Sequence, residues 1–326
     1  MKKIAFVIVY LGGKLPNYID LYIETCRWNQ SVNWIIFTDA ETPNKKINNM
    51  QFFELSLERF NLLASSKLGM SIRLKKTYKL CDLKPAYGVI FEDYLKEYDF
   101  WGYCDFDIIW GNIKNFISDD VLSKYDIITS TAHQISGHCS LFKNIENINR
   151  IYEKNSNYKL AFAEPEDCFG FDEIGLGIIQ FQGITETILN EEQKGAIKVY
   201  WKTMCAETYV PEKWRNYLKE FHGKKVSGII TAYACHWLQG RTFLWPWNKE
   251  VMYCHFRTWG NRWEESRIKS VLYNQCLDNK GFVIDKRSIH IPSRLTWTYY
   301  FFRRIYRFFD GCLYGLLRSL NRFQKY

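Results

Sequence analysis

Over the first 150 or so residues, apolar positions alternate between two spacings. Ile4–Tyr10 is an unbroken β-branched and aromatic run, the pattern of a strand buried on both faces. Gly12-Gly13 marks a turn, and Pro16 to about Trp28 has helical spacing. Trp34–Thr38, ending on Asp39, and Met50–Leu55 read as strands, whereas Leu57–Leu68 and Leu80–Lys96 read as helices. Phe100–Cys104 is a strand running into Asp105, and Asp126–Thr131 and Ser140–Phe142 are further strands. Strands alternating with helices predict an α/β fold with a mainly parallel, doubly wound sheet and flanking helices. From about Ala163 to Trp247 no period stands out, so this stretch is expected to hold loops that shape a second substrate site.

The end of the chain has a different pattern. Phe302, Ile305, Phe309, Cys312, Leu316, Leu320 and Phe323 recur at three- and four-residue steps, with Arg303, Arg307, Asp310, Tyr314, Arg318 and Lys325 on nearly the opposite face. This predicts a basic amphipathic helix, either packed on the body of the protein or lying on a membrane surface. Gly311 and Gly315 weaken it modestly. The chain therefore divides into a domain over residues 1–290 and a basic aromatic tail over 291–326.

Charge sharpens that division. The net charge is +9, and from Arg294 onward seven Lys or Arg face one acid, Asp310, leaving only +3 for residues 1–293. A basic character confined to the tail argues against nucleic acid as a partner. The ten cysteines occur singly, without a C-x-x-C pair, which fits a reduced, cytoplasmic setting rather than zinc or a disulfide scaffold. Met1-Lys2-Lys3 before an apolar run imitates a signal peptide, but the run is short and Gly12-Gly13-Lys14 is a poor cleavage site.

The chemistry concentrates at Trp101-Gly-Tyr-Cys-Asp105-Phe106-Asp107-Ile-Ile-Trp-Gly111. A hydrophobic strand delivers two carboxylates, one residue apart, at its C-terminal end, where ligands bind in open α/β sheets. The chain must bend there for both acids to meet one cation, and hard oxygen ligands suit Mg²⁺ or Mn²⁺. Such an ion offsets the charge that develops on a diphosphate leaving group. A solvated loop or a helix cap near Asn112 explains an isolated D-x-D equally well.

The longer pattern is more specific. Tyr78-Lys-Leu-Cys-Asp82-Leu-Lys84-Pro85-Ala86-Tyr87-Gly88-Val-Ile-Phe91, followed by Tyr98–Gly111, resembles a bacterial family of D-x-D glycosyltransferase-like proteins from surface-polysaccharide (capsule or O-antigen) loci. More broadly it is similar to the GT-A glycosyltransferases. The match covers roughly the first half of the chain, with a weaker echo near His255. The resemblance implies a Rossmann-like domain that binds a nucleotide-sugar, UDP-linked by preference, with Mn²⁺ or Mg²⁺. It puts Tyr10, Leu11 and Gly12 beside the nucleotide, Asp39 near the base, Lys84 toward the donor sugar or phosphates, and Asp105 and Asp107 on the metal. Asp105 would also touch the donor. By the same analogy, His255 in Tyr253-Cys-His-Phe-Arg257 is a third metal ligand and Arg257 a diphosphate clamp; a core histidine at a strand end is the competing reading. His138, after a glycine turn, either bonds a sugar hydroxyl or packs.

An inverting transferase needs a base for the acceptor hydroxyl. Asp172 and Glu173, in the acidic stretch after Ala163, are the candidates, unless that stretch is a solvated loop. The expected acceptor is a surface glycan or lipid-linked glycan, with the protein peripheral on the inner face of the plasma membrane. Two rival functions fit the same residues. D-x-D after an apolar strand also opens the haloacid-dehalogenase phosphohydrolase pattern, with Asp105 as nucleophile, although the motif comes late and Ile109 replaces the usual Thr or Val. A non-catalytic, membrane-associated glycan-binding protein would need neither carboxylate.

Overall fold

The computed structural model describes residues 1–43, 47–175, 181–207, 230–231, 234–245, 248–256, 281–285 and 289–290. β1 (Ile4–Tyr10) lies at the heart of the molecule, parallel to β2 (Val32–Thr38) on one side and β4 (Phe100–Cys104) on the other, with Ile4 opposite both Val32 and Phe100. β3 (Met50–Glu54) continues the sheet parallel to β2. Beyond β4 the direction reverses: β7 (Cys139–Lys143) is antiparallel to β4 and to β6 (Ile127–Thr129), and β8 (Val199–Trp201) runs parallel to β6. Among the described residues this gives a seven-stranded, mainly parallel mixed sheet of order β3-β2-β1-β4-β7-β6-β8.

Two smaller sheets follow from the later part of the chain. One has the order β10-β9-β14-β5, from Ile230–Thr231, Cys205–Glu207, Tyr253–His255 and Ile108–Trp110 respectively. The other has the order β13-β12-β11-β15-β16, from Lys249–Val251, Arg241–Trp245, Ala234–Leu238, Phe282–Asp285 and Ile289–His290. No period announced these strands, because they are only two to five residues long and, in the sheet that holds β5, the paired strands are remote in sequence.

Alternation along β1 feeds two apolar layers. Ile4, Phe6 and Ile8 pack on one face with Trp34 and Trp110, and Ala5 and Val7 on the other with Phe37, Tyr87 and Trp101. α1 (Ile19–Arg27) and α2 (Leu57–Leu68) form where the helical spacing predicts them, and Ser56 caps α2 by accepting from the Arg59 N–H at 3.2 Å.

The single helix expected over Leu80–Lys96 is not there. Thr77–Ala86 is a 3-10 segment, followed by single α turns at Tyr87–Ile90 and Glu92–Leu95. Pro85 removes a hydrogen-bond donor and crowds the preceding turn. Gly88 lets this segment close on β4: a Cβ there would stand 2.5 Å from the Trp101 ring. The tighter winding buries Lys79, Asp82 and Lys84 together. No described helix is long and apolar enough to cross a membrane. The eight described cysteines are all free. The tail from 291 onward lies outside the described residues.

Candidate active site

Asp105-Phe106-Asp107 is the crossing point between two sheets. β4 ends at Cys104, and β5 leaves the large sheet to pair antiparallel with β14. The crossing is held by backbone bonds: the Asp105 N–H donates to His138 O at 3.2 Å, and the Phe256 N–H donates to Asp107 O at 3.0 Å. Phe106 points into the core, edge-on to Tyr10 and Tyr22, each 5.1 Å away between ring centres. Asn29 locks the far side, donating to Gly111 O and accepting from the Ile113 N–H, both at 2.9 Å.

β14 then brings in His255. Its Nε2 lies 3.4 Å from Asp107 Oδ1. One ligand atom each from Asp105, Asp107 and His255 fall within 4.8 Å of one another. Bonds of about 2.0–2.2 Å to a cation allow a ligand–ligand separation of up to ~4.4 Å, so small side-chain movements gather the three around one ion. The two carboxylates are hard oxygen donors that suit Mn²⁺ or Mg²⁺, and the imidazole beside them favours Mn²⁺, the softer of the two.

Lys84 ties this site to the acidic loop. Its Nζ donates to Asp105 Oδ1 and to Gly137 O, both at 2.7 Å, and stands 3.8 Å from Asp172 Oδ2. Burial disfavours its charge, but Asp105, Cys81 and Asp172 outweigh that cost, and its pKa ends well above the ordinary lysine value. Asp172 is shifted upward by burial first of all. Lys84 pulls it back, and Glu173, Asp82 and Asp105 push it up further. Glu173 Oε1 accepts from the Gly137 N–H at 2.9 Å. The loop carrying these acids is anchored by Asp82, which accepts from the Phe169 and Phe171 N–H groups at 2.8 and 2.7 Å and pairs with Lys79 at 2.6 Å in full burial.

On the other side of the acids, the Gly12 and Gly13 N–H groups donate to Asp39 Oδ1 at 2.9 and 2.8 Å. Asp39 thus closes the turn after β1. Tyr10 is half-buried there, and its hydroxyl pKa is raised by burial and then by Asp39 and Asp107. A cavity of about 600 Å³ opens between these parts, lined by Tyr10, Gly12, Tyr18, Lys84, Asp105 and Asp107 among others. That is the size of a small-molecule site.

A family model described as a family of unknown function (DUF6625) matches residues 6–291. The chain belongs to that family. A search of curated proteins found no match. Among solved structures, the chain is similar to galactosyltransferase LgtC in complex with donor and acceptor sugar analogs, at 10% identity and TM-score 0.39 over 83% of this chain and 95% of that one. It is similar to the glycosyltransferase GlyE of Streptococcus pneumoniae TIGR4, at 13% identity and TM-score 0.41 over 85% of this chain and 64% of that one. It is also similar to mouse xyloside xylosyltransferase 1, at 8% identity and TM-score 0.40 over 77% of this chain and 97% of that one.

In this family member, most of the residues singled out in the sequence meet. Tyr10 and Gly12 line the same cavity as Lys84, Asp105 and Asp107, and Leu11 beside them is buried. Asp172 and Glu173 reach the site through Lys84 and Gly137. His138 is buried, with its Nδ1 2.8 Å from the Tyr253 hydroxyl and its ring stacked on that of His255, 4.1 Å between centres. Arg257 lies outside the described residues. Two groups had no role in the sequence reading: the Lys79–Asp82 pair, present in the long motif but without assigned chemistry, and Glu207, which stands 3.6 Å from His138 Nε2.

Proposed function

We propose that the protein is a metal-dependent glycosyltransferase that moves a sugar from a nucleotide-sugar, a UDP-sugar by preference, to an acceptor hydroxyl. One observation carries this: Asp105, Asp107 and His255 converge beside a cavity that also holds Lys84 and the glycine turn after β1. Asp105, Asp107 and His255 would hold a Mn²⁺ or Mg²⁺ ion, which supplies positive charge to a diphosphate leaving group. The turn at Tyr10–Gly12 offers backbone and an aromatic face to the nucleoside. Lys84 keeps its proton and holds Asp105 in place.

In the reaction the bond from the anomeric carbon to the phosphate oxygen breaks, with its electrons going to the diphosphate, and a bond to the acceptor oxygen forms. The acceptor proton passes to a carboxylate. Asp172 is the carboxylate we assign to that role, since it stands 3.8 Å from the Lys84 ammonium that also holds Asp105. Glu173, already bonded to Gly137, is placed to support the loop. The acceptor we favour is a bacterial surface glycan of the capsule or O-antigen kind, lipid-linked and presented at the inner face of the plasma membrane. The basic, aromatic tail suits contact with that anionic surface.

The test is a thermal-shift screen of nucleotide-sugars with and without Mn²⁺, since ligands that bind the native state raise its stability. A UDP-sugar should stabilise the protein only with the metal, and Asp107→Ala should erase both the shift and metal-dependent turnover. Full turnover in Asp107→Ala would sink the assignment.

A further inference from the structure

No pattern in the sequence points to Glu207. It closes β9, and the parallel ladder between β9 and β14 sets it opposite His255. Opposed residues on neighbouring strands share a face of the sheet, so strand register places this carboxylate beside the imidazole. Glu207 is 1% exposed, and its Oε1 lies 3.8 Å from His255 Nδ1 and 3.6 Å from His138 Nε2. The other nitrogen of His255, Nε2, faces Asp107 Oδ1 at 3.4 Å. His138 stacks on His255 and is itself fixed by the Tyr253 hydroxyl, so the ring has little freedom to turn.

A neutral imidazole binds a cation only through the nitrogen that carries no proton. Which nitrogen that is depends on the partner of the other one. We infer that Glu207 is the positioning residue of the proposed metal site: its carboxylate keeps the His255 proton on Nδ1 and leaves the Nε2 lone pair directed into the space shared with Asp105 and Asp107. This inference rests on the metal reading of that site. It explains why a carboxylate is buried in a sheet at a place where burial is costly unless donors face it.

The experiment uses the full chain and Mn²⁺ alone, titrated by electron paramagnetic resonance without sugar or acceptor. Glu207→Gln keeps the side-chain size and removes the charge. Mn²⁺ should bind roughly 10- to 100-fold more weakly, the range for loss of a partner behind a metal-bound histidine. If Glu207 acts through His255, the double variant Glu207→Gln/His255→Ala should bind no more weakly than His255→Ala alone. Wild-type affinity in Glu207→Gln, or additive losses in the double variant, overturns the inference. Asp107→Ala separates the two levels. Unchanged Mn²⁺ binding there removes the metal site itself, whereas loss there with normal binding in Glu207→Gln removes only the positioning role. If His138→Ala abolishes binding while Asp107→Ala leaves it intact, the ion belongs to His138, Glu207 and His255 instead, which also overturns it. Should Glu207→Gln fail to fold, ¹⁵N spectra of the wild-type histidines decide: His255 is expected as the Nδ1–H tautomer, and an Nε2–H tautomer refutes the inference.

Discussion

Gly137 has no side chain because two carboxylates occupy the space one would take. A Cβ there would stand 2.7 Å from Asp172 Oδ2 and 2.8 Å from Glu173 Oε1, while the Gly137 N–H and O bond Glu173 and Lys84. Gly137→Ala must therefore push Asp172 away from Lys84 and Glu173 off the Gly137 N–H. Overpacking of this kind costs about 1–3 kcal/mol, and the urea midpoint should fall accordingly with an unchanged slope. An unaltered midpoint would show that the acids move freely, contrary to the burial of Asp172 and the bond that Glu173 makes to Gly137. The same scale explains what could be read directly. Asp105 and Asp107 are separated by a single residue and sit on one bend, so local pattern was enough to single them out. Glu207 has no local signal: a single acid after Met204-Cys-Ala is ordinary, and only strand register brings it to His255.

At the scale of elements, the 3-10 segment Thr77–Ala86 acts as the clamp for the loop that bears Asp172. Asp82 answers two backbone N–H groups as well as Lys79, whereas Lys79 pairs with Asp82 and lies 4.6 Å over the Phe169 ring. Removing one partner of a fully buried pair costs about 3–5 kcal/mol. Asp82→Ala should reach the top of that range or pass it, because it strands two N–H donors along with the ammonium. Lys79→Met should cost less, since the Asp82 carboxylate keeps its two backbone donors. Denaturation of the two variants checks the order, and equal losses would refute the clamp.

A second element-scale contact sits where β1 and β4 begin. Asp99 accepts from the Lys3 backbone N–H at 2.8 Å and from Lys2 Nζ at 2.9 Å, and these bonds lower its pKa, the backbone bond most. A carboxyl lowered on folding adds stability above its unfolded pKa of about 3.9 and loses it as pH falls through the folded value. Asp99→Asn should therefore be less stable than wild type at pH 7, by under about 1 kcal/mol for so exposed a pair. The difference should close as the pH drops below about 4, and a gap that is flat with pH would exclude the ionic contribution.

The elements also mark the limit of sequence reading. β1, β2, β3 and β4 were legible because each is an apolar run with both faces or one face buried. Leu80–Lys96 had helical spacing but not an α-helix, because Pro85 and the approach of Gly88 to Trp101 outweigh periodicity. β9, β14 and β5 were illegible as a sheet. They are three residues each, and their pairing is settled by the whole fold.

At the scale of the molecule, charge is segregated. Residues from Arg294 carry +6 of the total +9, with the basic positions on one face of the helical pattern and aromatic and aliphatic ones on the other. Each basic residue close to an anionic leaflet contributes ~1 kcal/mol. Reversing Arg303, Arg307 and Arg318 to Glu in the full chain takes two charges per site, bringing the tail from +6 to zero. Losing three such attractions weakens binding by ~3 kcal/mol, roughly a hundred-fold, and repulsion adds to that. In vesicle sedimentation, wild type should therefore bind phosphatidylserine-containing vesicles, release in high salt as screening shortens the reach of the charges, and ignore neutral ones. The triple variant should stay in the supernatant while its Mn²⁺ affinity is unchanged, since none of the three positions belongs to the Asp105–Asp107–His255 group. Equal sedimentation of variant and wild type would leave the charges without a membrane role. Loss of Mn²⁺ binding together with vesicle binding would instead mean that the tail supports the rest of the fold rather than a membrane contact.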